Sequence, residues 1–158
     1  MKSHRIKFQK ILAVLLAILA LVGGLFGLCR AVASARAYDI APLTDERLAE
    51  LDLTGIIHLM IVAHPDDETL WGGAHIADGG YLVVCITNGY NATRSAEFQA
   101  VMQASNNVGL ILSYPDKVAG KRDDWTHVRS QIQTDLEKVM TYQPWEDIVT
   151  HNAKGEYG

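Results

Sequence analysis

The sequence predicts an α/β fold built on a parallel sheet. Three observations carry this: short apolar runs alternate with amphipathic stretches, turn residues bound each run, and the connections are too long for hairpins. Strands covered on both faces read as nearly continuous apolar segments, and helical crossovers between parallel strands are right-handed. By composition the chain divides into an N-terminal segment, 1–37, a linker with a short helix, 38–55, and an α/β domain, 56–158.

The N-terminal segment is dominated by Ile11 to Cys29, nineteen residues without a charge. As a helix this run would be about 28 Å long, close to the hydrocarbon thickness of a bilayer. Lys2, Arg5, Lys7 and Lys10 precede it, and Arg30 and Arg36 follow. The heavier basic flank predicts a cytoplasmic N-terminus and an extracytoplasmic remainder on a single-pass transmembrane helix. A cleaved signal sequence is the alternative, with Ala31-Val32-Ala33 or Ala33-Ser34-Ala35 as its processing site and a secreted product.

In the domain, Thr44 or Asp45 caps a short helix through Leu51. Ile56–Ala63 is the first strand, followed by a turn at His64-Pro65-Asp66 and a helix from about Glu68 to Ala77. Tyr81–Thr87 is the second buried strand. Asn88-Gly89 opens a strand-to-helix loop rather than a hairpin, because the residues after it are helix-patterned. That helix starts at Thr93, with Glu97 completing a capping box and Phe98, Val101 and Met102 forming its apolar stripe. Leu110–Tyr114 is the third strand, stopped by Pro115-Asp116. Trp125, Val128, Ile132, Leu136 and Val139 recur at three- and four-residue steps and mark a long amphipathic helix that ends before Pro144. Asp147–Thr150 is the fourth strand. With a strand order of 3-2-1-4, the loops after the first and fourth strands would face each other across the crevice where such sheets bind ligands.

Charge narrows the function. Residues 1–37 hold six of the 14 Lys and Arg and no acid, which leaves 8 basic against 18 acidic side chains, about −10, for the rest. Nucleic-acid binding needs a basic footprint and is disfavoured. Cys29 in the apolar run and Cys85 in a buried strand predict no disulfide framework.

The chemistry concentrates in Ala63-His64-Pro65-Asp66-Asp67-Glu68, an imidazole and three carboxylates at a strand's C-terminal edge. Imidazole nitrogen and carboxylate oxygen both suit Zn²⁺, and a catalytic zinc takes three protein ligands and keeps a position open. One Asp can ligate while its neighbour takes a proton from water. The competing reading is structural, with Asp66, Asp67 and Glu68 simply complementing a helix N-terminus. The tail adds His151, Glu156 and Tyr157 near the neighbouring strand end. His58, His75 and His127 read as packed or solvated residues.

His-Pro-Asp-Asp-Glu after a first hydrophobic strand, together with a late Gly155-Glu156-Tyr157-Gly158, resembles the PIG-L/LmbE-like family of zinc-dependent de-N-acetylases over residues 56–158. The resemblance implies a Rossmann-like, mostly parallel sheet with helices on both faces. It implies zinc held by His64 and Asp67, with Asp66 as general base. Arg94-Ser95-Ala96-Glu97 matches the family's Arg-x-x-Glu, and Pro115-Asp116 its Pro-Asp, which makes Arg94 and Asp116 substrate contacts. Tyr157 would border the active site and help to stabilise the oxyanion. The structural alternatives are an Arg94–Glu97 pair on an exposed helix and a turn shaped by Asp116.

Family members continue into His-x-x-His, whose second His is the third zinc ligand; this sequence stops at Gly158. The expectation is a C-terminally truncated piece of a longer deacetylase, inactive alone, with His151 the third ligand only by position. The implied activity is hydrolysis of the acetamide of an N-acetylglucosamine-type sugar. The alternatives are a non-catalytic membrane-anchored sugar-binding remnant and a Mg²⁺-dependent nucleotide-sugar transferase.

Overall fold

The computed structural model describes residues 16–27, 40–118 and 120–152. The chain comprises two units, Met1–Asp39 and Ile40–Gly158. In the first, residues 16–27 form a helix, α1, whose apolar side chains are exposed. Among the described residues no helix is long and apolar enough to cross a membrane. The remainder of the expected span, residues 11–15, Leu28 and Cys29, lies outside the described residues.

The second unit is the α/β domain. Its elements are α2 (Asp45–Ala49), β1 (His58–Val62), α3 (Asp67–Leu70), α4 (Gly73–Ile76), β2 (Tyr81–Thr87), α5 (Ala92–Ala104), β3 (Val108–Tyr114), β4 (Lys117–Val118), β5 (Lys121–Arg122), α6 (Arg129–Met140) and β6 (Asp147–Thr150). The main sheet runs β3-β2-β1-β6 and every neighbouring pair is parallel. β4 and β5 form a separate antiparallel ribbon.

Strand alternation sends successive side chains to opposite faces, and each face has its own core. Leu59, Ile61, Leu82, Val84, Leu110 and Leu112 pack with Leu48 of α2 and Ile132 and Val139 of α6. Met60, Val62, Val83, Cys85 and Ile111 pack with Ile76 of α4 and Phe98 and Met102 of α5. α5 sits close to the sheet because β3 offers Gly109 there; a Cβ would come within 2.7 Å of Met102 and 2.8 Å of Phe98. The buried Cys85 thiol is pushed up to about 12 by desolvation, so it stays protonated.

Several boundaries differ from those expected. The helix predicted over Glu68–Ala77 is two short helices with a break at Trp71-Gly72. At the break Gly72 passes so near Met60 of β1 that a Cβ would meet its side chain at 2.6 Å. α5 is capped by Asn91, whose side chain accepts from the Thr93 and Arg94 amides, instead of by Thr93. Glu97 pairs with Arg94 rather than closing a capping box. Trp125 lies outside the last long helix, at φ 58°, with its indole N–H donated to the Pro115 carbonyl at 2.7 Å.

Candidate metal centre

β1 has β2 on one side and β6 on the other, so the chain leaving β1 opens onto the point where strand order reverses. The Ala63 carbonyl is fixed there by the Thr87 amide at 3.1 Å and the Thr87 hydroxyl at 2.8 Å. The next residue but two, Asp66, has φ 143° and ψ −23°, a backbone state that costs a side-chain-bearing residue on the order of 1–3 kcal/mol. Its surroundings hold it in place. The Asp66 amide donates to Glu68 Oε2 at 3.0 Å, and its carbonyl accepts from the Thr69 and Leu70 amides at 3.0 and 2.9 Å. Arg94 Nη2 donates to the Pro65 carbonyl and to Asp66 Oδ2, the latter at 2.9 Å. Asp66 occupies the N-cap position of α3, yet its side chain makes no capping hydrogen bond. The carboxylate turns toward Arg94 and lines the cleft instead.

Asp67 is 1% exposed. Its Oδ2 accepts from the His64 amide at 2.7 Å and lies 3.4 Å from His64 Nδ1 and 3.2 Å from His151 Nε2. Burial pushes its pKa upward, but hydrogen bonds from His64 and the charge of both imidazoles outweigh that and hold it below the usual carboxylate value. The second nitrogen of His64, Nε2, lies 3.4 Å from Asp116 Oδ1. A carboxylate on the far nitrogen is how ligating imidazoles are commonly oriented. His151 Nε2 also accepts the Ala63 amide at 3.3 Å. One ring nitrogen cannot accept from Ala63 and donate to Asp67 at once, so its tautomer decides which of the two contacts is a hydrogen bond.

The donor set fits zinc in type and partly in spacing. Tetrahedral bonds of about 2.0–2.1 Å place neighbouring ligand atoms about 3.3 Å apart, close to the His64–Asp67 and His151–Asp67 separations. His64 and His151 flank Asp67 without the three closing a triangle. Among the described residues, the set of three whose donor atoms all lie within 4.8 Å of one another is Asp123, Asp124 and His127. Those two aspartates accept the Trp125 and Thr126 amides at 2.8 and 2.9 Å and shape the loop before α6.

A cleft of about 450 Å³ covers His64, Asp66 and Asp67, with Arg94 and Asp116 on its wall. Five of the six residues to which the family resemblance gives a role therefore line one cleft, and Tyr157 lies outside the described residues. Arg94 pairs with both Asp66 and Glu97, so its guanidinium is a tether for the loop as well as a cleft wall. Asn88, Lys117 and Arg122 also line the cleft and were not anticipated. Gly120 within the short stretch Lys117 to Arg122 was the available hairpin signal for the last two.

These features define an α/β domain with a carboxylate–imidazole cluster at a parallel sheet's switch point. No known protein family matches the sequence, and no solved structure matches it. The chain is similar to uncharacterized protein L374 of Acanthamoeba polyphaga mimivirus, 30% identical over 117 residues, which covers 63% of this chain and 50% of the relative. The chain thus spans about half the length of the relative it matches.

Proposed function

We propose that the protein is a zinc-dependent hydrolase that removes the acetyl group from an N-acetylglucosamine-type sugar or glycoconjugate. The observation that carries this is the buried Asp67 carboxylate held between two imidazoles, with a second carboxylate, Asp66, beside it in the same cleft. His64 and Asp67 would hold the zinc, with His151 placed next to them. Zinc, when bound, supplies a Lewis acid for the amide carbonyl and acidifies water.

The chain's own residues do the rest. Asp66 takes the proton of the attacking water as the new C–O bond forms, then gives it to the sugar nitrogen as the C–N bond breaks. Acetate and a free amine leave. Arg94 holds the Asp66 carboxylate in place, and Asp116 fixes the ring of His64. Tyr157 would assist the oxyanion. The apolar run from Ile11 to Cys29 supports a single-pass anchor that carries the domain outside the cytoplasm.

The test is acetate release from N-acetylglucosamine glycosides by the full-length, zinc-loaded protein. Release is expected, and Asp66→Asn should keep the zinc while losing most turnover. A zinc-replete protein that frees no acetate from any N-acetylated amino sugar would overturn the reading.

A further inference from the structure

We infer that the cleft recognises a substrate carrying an anionic group, a phosphate ester or a carboxylate, and that Lys117 and Arg122 on the β4–β5 ribbon bind it. That the bound molecule is a substrate rests on the cleft being the amide-hydrolysing site proposed above; the anion site itself does not. The domain is acidic, with 8 basic against 18 acidic side chains from residue 38 onward. Yet three of those eight, Arg94, Lys117 and Arg122, line this one cleft.

The acids of the cleft already have cationic or imidazole partners. Asp66 is paired with Arg94, Asp67 with His64 and His151, and Asp116 with His64. Lys117 makes no ion pair with any described residue. It is also the direct cross-strand partner of Arg122. Like charges opposite each other on a two-stranded ribbon are unfavourable, and an anion shared between them reverses the sign of that interaction. Lys121, the neighbour of Arg122 along β5, does not line the cleft. Alternation along the strand thus sends one cation to the site and the next away from it.

The ribbon is tied back to the site. The Asp123 amide donates to the Asp116 carbonyl at 2.8 Å, and Asp116 contacts His64, so an anion on the ribbon has a fixed place relative to the reacting centre. Binding energy gathered there can orient the acetamide.

The experiment compares three acetamido sugars of one size with the full-length, zinc-loaded protein: a neutral methyl glycoside, a phosphate ester and a uronate. Acetate release gives kcat/KM, and NMR titration gives Kd independently of turnover. We expect the anionic sugars to be favoured by about tenfold or more in both readouts. Lys117→Gln with Arg122→Gln should bring that ratio toward one, and Lys121→Gln should leave it unchanged. Preference for the phosphate alone or the uronate alone supports the inference and names the anion. Equal kcat/KM for all three, or a ratio insensitive to Lys117 and Arg122, overturns it while the hydrolase reading stands. Should no sugar be hydrolysed, an anion preference in Kd that depends on Lys117 upholds the inference and sinks the hydrolase reading; equal Kd values sink both.

Discussion

Where the segment after β1 turns from strand to helix, its carboxylates have internal partners: Asp67 and Glu68 are buried, and Asp66 is held by Arg94 and by the Glu68 side chain's grip on its amide. Where the segment after β3 turns toward α6, the base is pinned by the Asp123 amide on the Asp116 carbonyl and the Trp125 indole on the Pro115 carbonyl. Beyond that base, Lys117, Lys121 and Arg122 are exposed on two-residue strands. The first loop is held by internal hydrogen bonds and ion pairs, and the second can change its exposed side chains without disturbing the sheet. On the proposed reading, the first loop carries the chemistry and the second the selectivity.

The largest effect should follow from emptying the first loop of its base. Asp66→Asn is expected to lower kcat by roughly 10²–10⁴-fold with unchanged zinc content. A loss of zinc instead would make Asp66 a ligand and blur the contrast. Arg94→Lys comes next. Lysine cannot span the Pro65 carbonyl, Asp66 and Glu97 together, so we expect kcat to fall by about tenfold while KM holds. A rise in KM at constant kcat would mark Arg94 as a substrate contact, as the family resemblance implies.

A third change tests the scaffold beneath both loops. Tyr114 ends β3, is fully buried and donates to Asp135 Oδ2 at 2.7 Å, while Asp135 Oδ1 accepts the Leu43 amide at 3.1 Å. Tyr114→Phe should cost about 1–3 kcal/mol of unfolding free energy, since a buried carboxylate loses a donor. Burial, then the bond to Asp135, raises the Tyr114 pKa. A raised folded pKa gives stability that is complete below the unfolded value near 10 and is lost as pH climbs above it. Denaturation midpoints measured across that alkaline range should therefore fall less steeply in Tyr114→Phe. The smallest effect is predicted for Trp125→Phe, which removes the indole donor to Pro115. About 0.5–1.5 kcal/mol should be lost. Hydrogen exchange should speed up in the ribbon and leave the His64–Glu68 amides unchanged.

Strand order and strand positions were legible because buried parallel strands advertise themselves as apolar runs, whereas Arg94 and Asp116, which line the same cleft as His64, Asp66 and Asp67, were singled out only by the family resemblance. Local hydrogen bonds overrode periodicity elsewhere. Trp125 fits the helical repeat that follows, yet its indole is claimed by Pro115, and the helix starts only at Arg129. The helix expected after β1 breaks at Trp71-Gly72, where the backbone runs so close to Met60 that a Cβ would meet its side chain. Lys117 and Arg122 were missed because nothing in the six residues from Lys117 to Arg122 reveals that their ends pair on a ribbon beside the cleft. His151 beside Asp67 is a tertiary meeting of residues 84 apart, visible in sequence only through the strand order.

The most direct measurement is a calorimetric zinc titration of the protein, of His64→Ala and of His127→Ala. One zinc per chain is expected in the first and third, with tight binding abolished in His64→Ala. Zinc that survives in His64→Ala and disappears in His127→Ala would place the metal at Asp123, Asp124 and His127, and would contradict the assignment of the β1 loop.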